Sequence, residues 1–336
     1  MAGRGSRLRP HTITVPKPLI PVAGKPMVQR LVEDLIKMSA EKVDNIGFVI
    51  GDFGEEVENQ LKAVAKELGA TGHIFHQDKP LGTAHAILCA EPLITGKTLI
   101  AFADTLFDAD YIIDTEQDGI IVVQQVADPS AFGVVQLGED GYINNFVEKP
   151  ETFVSDLAII GIYYFKDGDF LKQEMQYLID NDIKDKGEYQ LTNALENMKQ
   201  KGTKFATGQV NEWLDCGNKN ATVYTNQRVL ELLHKQTPQS PENQQKVVAS
   251  LKNENSVIIQ PCFIANNIQL LNAVVGPHVS IGENTIIENS VVKNTIIQAN
   301  STIKNKVIEN SMIGNHVTVN GKPTQFSIGD YTILES

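Results

Sequence analysis

Residues 1–26 read MAGRGSRLRPHTITVPKPLIPVAGKP, and this stretch is the most informative part of the chain. Gly3 and Gly5 lie close together, and such glycines expose backbone N–H groups that can surround a phosphate. The chain carries a formal net charge of -12, yet this stretch holds a cluster of basic residues, namely Arg4, Arg7, Arg9, Lys17 and Lys25. A basic cluster on an acidic chain predicts a site that faces an anion.

The order G-x-G-[ST]-R-L-x-P, followed by P-K-P-L-x-P-V-x-G-K-P, resembles the signature of sugar-1-phosphate nucleotidyltransferases, the enzymes that make NDP-sugars. The pattern fixes about a dozen positions, so it is far more specific than a lone G-x-G. The resemblance implies that Gly3, Gly5 and Ser6 contact a nucleotide. It also implies that Arg7 attracts the triphosphate and that Lys17 neutralises phosphate charge.

In this family a hydrophobic strand leads directly into the glycine loop, whereas here the sequence starts inside the loop at Met1. The strand that would precede Gly3 is the first of a parallel sheet, and such strands are usually central and buried on both faces. We therefore expect the start to have been assigned too late, at an internal methionine of a longer polypeptide.

The composition indicates a two-domain globular protein, because 336 residues exceed one ordinary core and 42% of them are hydrophobic. No apolar run reaches the ~18 residues of a membrane span, so no membrane partner is expected. The acidic balance argues against nucleic acid. Cys89, Cys216 and Cys262 are odd in number and lack metal spacing, which predicts a reduced, cytoplasmic protein.

Helix and strand patterns alternate through the first two thirds of the chain and predict a doubly wound, mixed α/β sheet, Rossmann-like in design. Apolar stripes predict helices over residues 28–36 and 57–68, and short apolar runs predict strands at 46–50 and 98–103. Successive strand-like runs between residues 119 and 165 suggest an added antiparallel or mixed region that covers the site. We assign residues 1–220 to this catalytic domain.

The remainder divides into a helical linker, residues 221–250, and a repeat domain, residues 251–336. Apolar residues in the last segment return in steps of five or six, from Val275 to Val319. These steps resemble hexapeptide repeats, whose short strands wind into a left-handed parallel β-helix with a core supplied by stacking. Asn and Gly suit its corners. We expect this domain to assemble a homo-oligomer.

The segment Gln77–Ala86, with P-L-G-T-A-x-A inside it, resembles the base-recognition segment of the family. Gln77 can pair with both a donor and an acceptor on a pyrimidine edge. The resemblance adds Gly82, where the backbone would approach the base closely, and Thr83 to the nucleotide-binding set. His85 follows on a helix, where we expect a structural role.

Two carboxylates resemble the magnesium ligands of the family. Asp104 ends a strand in F-A-D-T-L-F, and Asp215 lies in W-L-D-C-G. Mg²⁺ prefers few carboxylates together with phosphate oxygens and water. The residue before the first aspartate is often Gly in the family and is Ala103 here.

The segments F-G-V at 132–134 and E-K-P at 148–150 resemble the sugar-phosphate half-site. The resemblance implies that Glu148 accepts from sugar hydroxyls and that Lys149 binds the sugar phosphate, with Gly133 and Gly161 lining the pocket. The family often has Asn-Ala before that last glycine, and this chain has Ile159-Ile160, which leaves the sugar open.

Together these segments predict Mg²⁺-dependent transfer of a nucleotidyl group from an NTP to a sugar-1-phosphate, with dTTP or UTP and glucose-1-phosphate as first candidates. The implied catalytic set is Arg7, Lys17, Asp104, Lys149 and Asp215. Three alternatives stay open: mannose-1-phosphate guanylyl transfer, a bifunctional uridylyl and acetyl transferase using His278 or His316 of the repeats, and an inactive sugar-nucleotide-binding assembly subunit.

Overall fold

The computed structural model describes residues 5–236 and 251–322. These residues form two compact units. The first holds the described residues up to Ile20 together with Lys25–Ala221, and the second holds Pro21–Gly24 together with the described residues from Thr222 onward. The second unit therefore includes a short piece of the opening stretch, which the sequence analysis placed wholly in the catalytic domain.

Six α-helices occur in the described residues: α1 (Met27–Met38), α2 (Glu55–Glu67), α3 (Thr83–Leu88), α4 (Gly168–Asp180), α5 (Leu191–Gln200) and α6 (Lys219–Gln236). Short 3₁₀ helices form at Ser6–Leu8, Lys17–Leu19 and Glu91–Leu93. The predicted stripe of α1 is buried at Val28, Leu31 and Val32. Glutamates fill the first turn of α2, where the helix dipole favours negative charge.

Between Gly5 and the start of α6, the described residues form twelve strands. They are β1 (Pro21–Val22), β2 (Lys25–Pro26), β3 (Asn45–Ile50), β4 (Thr71–His76), β5 (Thr98–Ala101), β6 (Thr105–Asp108), β7 (Gly119–Gln125), β8 (Gly133–Leu137), β9 (Ile143–Glu148), β10 (Leu157–Phe165), β11 (Phe205–Gln209) and β12 (Glu212–Asp215). The helices and strands predicted in the first two thirds of the chain are confirmed.

The main sheet of the first unit has the order β11-β7-β10-β8-β9, with β5 also paired to β10. It is mixed, since β11 runs parallel to β7 while β10 runs antiparallel to β5, β7 and β8. The strands expected to form an added covering region, β7 to β10, are thus part of the main sheet itself, with β7, β10 and β8 inside it and β9 at one edge, so the expectation of an added region is wrong. The apolar runs of β7 and β10 explain their inner places, because strands buried on both faces read as continuous hydrophobic sequence.

Two smaller sheets complete the first unit: β3 pairs with β4 in parallel, and β6 pairs with β12 antiparallel. The main core packs β10 against α4 and α5, with Tyr163, Phe165, Leu171 and Leu195 among its buried side chains. A second cluster joins α1, β3 and α2 through Val28, Phe48 and Leu61.

The second unit contains a parallel β-solenoid of about 4 turns, the left-handed β-helix predicted from the repeats. Its strands are β13 (Lys252–Glu254), β14 (Val257–Ile258), β15 (Cys262–Ile264), β16 (Gln269–Leu271), β17 (Val274–Val275), β18 (Val279–Ile281), β19 (Ile286–Glu288), β20 (Val291–Ile297), β21 (Thr302–Lys304), β22 (Val307–Ile313) and β23 (Thr318–Asn320). One face stacks β13, β16, β19, β21 and β23, and the longer β20 and β22 bend around a corner between the other two.

The solenoid is held by its apolar interior and by ladders of asparagine at its corners. Val275, Ile281 and Ile303 are fully buried. Corner asparagines adopt left-handed backbone, with φ of 57° at Asn284 and 48° at Asn289. Asn272 Nδ2 donates to Asn289 Oδ1 over 17 residues, which is one full turn.

Asn226 of α6 is fully buried inside the second unit and binds two other segments of it. Its Oδ1 accepts from the Ala23 backbone N–H at 2.9 Å and from the Ser280 hydroxyl at 2.7 Å. The neighbouring Gly24 packs so closely on the Phe263 ring that a Cβ would have no space. The segment after the P-K-P motif is thereby fixed to the solenoid.

Among the described helices, none has both the length and the apolar character needed to cross a membrane.

Candidate active site

The opening loop turns sharply at Gly5, which has left-handed backbone with φ 57°. Its carbonyl accepts from the Thr12 hydroxyl at 2.8 Å, and a Cβ here would lie 3.0 Å from Lys17 Cβ. Ser6 and Arg7 follow in a 3₁₀ turn with exposed side chains. Gly3, which was also predicted to contact a nucleotide, lies outside the described residues.

Lys17 and Asp104 form the ion pair nearest to this loop. Lys17 Nζ lies 2.9 Å from Asp104 Oδ2, and the lysine side chain is only 10% exposed while the aspartate is 44% exposed. The 3₁₀ helix Lys17–Leu19 fixes the lysine backbone, because Ile20 N donates to Lys17 O at 3.1 Å. A held ammonium beside a partly open carboxylate can contribute positive charge to a bound anion.

The small β6–β12 sheet brings the two predicted carboxylates together. Asp215 pairs with Thr105 across the sheet, and Cys216 N donates to the Asp104 carbonyl at 3.1 Å. Gly217 N donates to Asp215 Oδ1 at 2.9 Å, and a Cβ on Gly217 would lie 2.9 Å from Asp215 Oδ2. A glycine at position 217 therefore avoids a steric clash with the Asp215 carboxylate.

The two carboxyl groups have shifted pKa values in opposite directions. Burial opposes ionisation of Asp104, but the Lys17 ammonium and its hydrogen bond outweigh burial and hold the pKa of Asp104 below its usual value. Burial and then the neighbouring Asp104 charge raise the pKa of Asp215. The hydrogen bond from Gly217, and then the charges of Lys17 and Arg7, partly offset this rise.

This donor set fits a divalent cation. Two neighbouring carboxylates that repel each other are stabilised by positive charge between them, and Mg²⁺ needs few protein carboxylates when phosphate oxygens complete its shell. In the described parts of the chain, no group of three or more His, Cys, Asp or Glu side chains could hold a metal. Asp104 and Asp215 would therefore need phosphate oxygens and water to complete the shell of a cation.

The predicted base-recognition segment begins directly after β4. Gln77 is buried, and its backbone N–H donates to Ile50 O at 2.8 Å. Its side-chain Nε2 lies 3.2 Å from Gly82 O and 3.0 Å from His85 Nδ1. The amide N–H₂ is therefore already bound within the protein, which favours Oε1 as the atom that contacts a base, and the role of Gln77 in base recognition stays a prediction.

Gly82 and Thr83 are both engaged with the segment that leads into α5. Gly82 has φ 116°, and a Cβ would lie 2.6 Å from Tyr189 N, so only glycine fits beside that backbone. The Thr83 hydroxyl accepts from Leu191 N at 2.8 Å and donates to Gln190 Oε1 at 3.2 Å. Its side chain thus stabilises the protein locally.

The predicted sugar side is built by β8 and β9. Gly133 pairs with Glu148, and a Cβ on Gly133 would lie 3.0 Å from Glu148 Oε2. Glu148 is 15% exposed at its side chain, and its Oε1 lies 3.3 Å from Lys149 Nζ. Lys149 has φ 42°, a strained conformation for a residue with a side chain. Such strain at a predicted phosphate-binding lysine is consistent with a functional constraint.

Gly161 lies where β10 changes register between Ile159 and Tyr163. Its φ is 84°, its carbonyl accepts from Phe102 N at 2.8 Å, and a Cβ would lie 3.0 Å from Phe102 Cδ2. The Thr105 hydroxyl donates to Ile160 O at 2.7 Å. This irregularity therefore fixes the backbone on both sides of Asp104.

The start of α5 links the predicted base and sugar segments, a role that sequence reasoning missed. Gln190 binds Thr83, and the Thr192 hydroxyl lies 3.5 Å from Glu148 Oε2. Lys186 Nζ donates to Lys149 O at 3.1 Å, and His85 holds Gln77. The segment G-E-Y-Q-L-T at 187–192 carries this link in the sequence.

The fold and this arrangement of charged residues define a nucleotidyl-transfer enzyme. The sequence family described as Nucleotidyl transferase matches residues 1–231. The chain belongs to this family. Its members generally use a divalent metal.

Relatives with described activities match between about half and most of the chain. A glucose-1-phosphate thymidylyltransferase of Streptomyces antibioticus is 29% identical over 297 residues, which cover 84% of this chain and 81% of that protein. The bifunctional protein GlmU of Methanococcus maripaludis is 28% identical, with 77% of this chain and 60% of that protein covered. The mannose-1-phosphate guanylyltransferase catalytic subunit beta of Drosophila melanogaster is 36% identical over 180 residues, covering 49% and 46% of the two chains.

A crystal structure of UDP-glucose pyrophosphorylase complexed with UDP-glucose shares the fold. Its TM-score is 0.57 at 24% identity, and the match covers 68% of this chain and 96% of that one.

Proposed function

We propose that this chain transfers a nucleotidyl group from an NTP to a sugar-1-phosphate and releases pyrophosphate, with dTTP or UTP and glucose-1-phosphate as the first substrates to test. The observation that carries the proposal is the Lys17–Asp104 pair at 2.9 Å beside Asp215, next to an opening loop with Arg7 exposed. The positively charged side chains of such a site suit a triphosphate, and its carboxylates suit a cation.

The reaction needs no nucleophile from the protein. A phosphate oxygen of the sugar phosphate attacks the α-phosphorus of the NTP, the new P–O bond forms, and the bond to pyrophosphate breaks with its electron pair leaving on oxygen. Protein groups contribute positioning and charge stabilisation. In this proposal Arg7 and Lys17 bind the triphosphate, and Gly5 and Ser6 supply the loop backbone.

Asp104 and Asp215 would hold Mg²⁺, which when bound supplies positive charge to the phosphate oxygens. On the sugar side, Lys149 binds the phosphate and Glu148 accepts from sugar hydroxyls. The strained backbone of Lys149 and the bond from Lys186 to its carbonyl support an oriented lysine. Gly133 and Gly161 leave space beside these groups.

The choice of nucleotide rests on the relatives. Thymidylyl transfer is the activity of the Streptomyces antibioticus relative, which matches over 84% of this chain. Guanylyl transfer to mannose-1-phosphate is the second candidate, because the Drosophila melanogaster subunit reaches 36% identity over its matched segment.

Pyrophosphate release, assayed with each NTP and a panel of sugar-1-phosphates in the presence of Mg²⁺, tests the proposal. We expect turnover with glucose-1-phosphate and dTTP or UTP, and loss of most of it in Asp104→Asn. Binding of nucleotides without turnover of any pair would instead identify a sugar-nucleotide-binding subunit.

We also propose that the solenoid assembles a homo-oligomer in the cytoplasm. A row of partly exposed valines runs along successive turns at Val257, Val274, Val291 and Val307, with Val307 80% exposed. The three cysteines are free of disulfides. Val291→Asp with Val307→Asp should lower the oligomeric mass seen by light scattering, whereas Leu137→Asp, on the other unit, should not. An unchanged mass in the double variant contradicts assembly through this row.

A further inference from the structure

The side-chain amide of Gln77 has a defined orientation. Its Nε2 faces the Gly82 carbonyl at 3.2 Å, and a carbonyl oxygen can only accept a hydrogen bond. The atom at this position must therefore be the N–H₂ group. The reverse orientation would place two acceptor oxygens against each other.

The second hydrogen of this amide reaches His85. Gln77 Nε2 lies 3.0 Å from His85 Nδ1, so Nδ1 accepts and the ring carries its proton on Nε2. Both amide hydrogens are then used inside the protein. Within residues 5–236 and 251–322, no group donates a hydrogen bond to Gln77 Oε1. This oxygen is also not a buried, unsatisfied acceptor of the described structure. Oε1 is thus the group that Gln77 offers to a ligand.

We propose that His85 is a positioning residue that holds Gln77 so that only its Oε1 faces the nucleotide, and that this oxygen selects bases with a protonated ring nitrogen on the pairing edge. Uracil, thymine and guanine carry such an N–H, whereas cytosine and adenine present a bare nitrogen that repels an acceptor. This inference rests on the proposed function, since it assumes an NTP beside Gln77.

His85 fixes the Gln77 amide because that amide carries two hydrogens and each of them needs an acceptor. The Gly82 carbonyl binds one amide hydrogen and already favours the observed orientation. Without an acceptor at position 85, the second hydrogen has no protein partner and the amide gains freedom to rotate. A mobile amide presents its N–H₂ to the base part of the time, so discrimination falls. His85 acts through Gln77 and touches no substrate in this proposal.

A matched pair of variants at position 85 tests the role. In His85→Asn the side-chain Oδ1 takes the place of Nδ1 as acceptor. His85→Leu has the same branching as Asn and no acceptor. His73→Leu, on β4, controls for loss of a histidine at a different place. Steady-state kinetics are measured with UTP, dTTP, GTP, CTP and ATP at saturating glucose-1-phosphate.

We expect the wild-type enzyme to favour UTP, dTTP or GTP over CTP and ATP by at least about tenfold in kcat/KM. His85→Leu should raise the KM for the favoured NTP and reduce its preference over CTP, each by about tenfold, with kcat and the sugar-1-phosphate KM within about twofold. His85→Asn should keep the preference. Unchanged preference in His85→Leu, or a wild-type preference for CTP or ATP, overturns the inference.

Two further measurements separate this inference from the proposed function. Long-range ¹H–¹⁵N spectra should show Nδ1 of His85 unprotonated in the wild-type chain, and a protonated Nδ1 would overturn the assignment. Calorimetry with UTP and CTP alone gives the ratio of Kd values in each variant. If no sugar-1-phosphate is turned over, the proposed function fails, while the Kd ratio still shows whether His85 controls base preference.

Discussion

Lys17 Nζ lies 2.9 Å from Asp104 Oδ2, and this lysine is the less exposed partner of the pair. The aspartate therefore carries a pKa below its usual value although burial works in the other direction. Its strand neighbour Asp215 shows the opposite shift, because burial and the Asp104 charge both disfavour ionisation there. A divalent cation beside the two carboxylates would relieve the repulsion that raises the pKa of Asp215.

Replacing either carboxylate with its amide should remove most of the activity. We expect Asp104→Asn and Asp215→Asn each to cost about 3 kcal/mol or more of transition-state stabilisation, because each would lose a charged metal ligand. Asp108→Asn, at the far end of β6, serves as the control and should stay near wild type. The variants are compared by the kinetics of pyrophosphate release at increasing Mg²⁺ concentrations. If Asp104→Asn or Asp215→Asn turned over at the wild-type rate, that residue would not be a metal ligand.

Lys149 allows charge and backbone strain to be separated, because its φ is 42°. Lys149→Ala and Lys149→Gly both lose the ammonium group, so each should raise the KM for sugar-1-phosphate by about tenfold and leave the NTP KM nearly unchanged. Only the glycine variant relieves the left-handed strain. Its free energy of unfolding should therefore be about 1–2 kcal/mol higher than that of the alanine variant. A kinetic effect confined to the NTP would reverse the two half-sites.

Patterns local in sequence predicted much of this molecule. The apolar stripes predicted α1 and α2, the steps of five or six predicted the solenoid, and the P-K-P and W-L-D segments predicted residues that the structure brings together. Each of these patterns reflects a short-range periodicity or a fixed motif, which one sequence displays directly.

Contacts distant in sequence were not predictable in this way. Thr83 binds Gln190 across 107 residues, and Ala23 binds Asn226 across 203 residues. Their side chains carry no periodic signal, and their partners are set by tertiary packing. The same limit explains why Gln77 was assigned both pairing functions, since its bond to Gly82 and His85 depends on the turn geometry between β4 and α3.

Gly82 should tolerate no side chain. A Cβ would lie 2.6 Å from Tyr189 N, and the φ of 116° is also unfavourable for other residues. Gly69 is the matched control, with φ 80° and nothing within 4 Å of a Cβ. We expect Gly69→Ala to cost about 1–2 kcal/mol of unfolding free energy from backbone strain alone. Gly82→Ala should cost about 1–3 kcal/mol more.

Gly82→Ala should also bind the nucleotide more weakly than the wild-type chain. The Gly82 carbonyl accepts a hydrogen bond from Gln77 Nε2, and its displacement would disturb that bond. Denaturant unfolding and the NTP KM are the two measurements. Equal unfolding free energies for Gly82→Ala and Gly69→Ala would show that Tyr189 moves aside without cost.

Asn226 should be the side chain of α6 whose loss most affects the second unit. Asn226→Ala leaves the Ala23 N–H and the Ser280 hydroxyl without their buried acceptor, and each unsatisfied group costs about 1–3 kcal/mol. Asn220→Ala changes an exposed residue of the same helix and should shift the unfolding free energy by no more than about 0.5 kcal/mol. Similar melting curves for the two variants would mean that water replaces the Asn226 bonds.

Glu231 makes the stability of the second unit depend on pH in the acid range. Burial opposes its ionisation, but Gln227, Arg228 and His278 outweigh burial and lower the pKa of Glu231 from 4.5. His278 Nε2 lies 3.0 Å from Glu231 Oε1, so the imidazole ring is already engaged with α6. Because the folded state binds the proton more weakly than the unfolded state, the stabilisation is complete above pH 4.5 and is lost as the pH falls through the lower, folded pKa.

Glu231→Gln should therefore lower the unfolding free energy at neutral pH, and the difference from wild type should shrink steadily in acid below pH 4.5. Glu309→Gln removes an exposed partner of Lys293 and should change stability little at any pH, since exposed pairs contribute little. Denaturant unfolding of the three proteins across this pH range makes the comparison. A constant difference between Glu231→Gln and wild type down to the lowest pH would show that shape and packing at position 231, rather than its charge, stabilise this part of the solenoid unit.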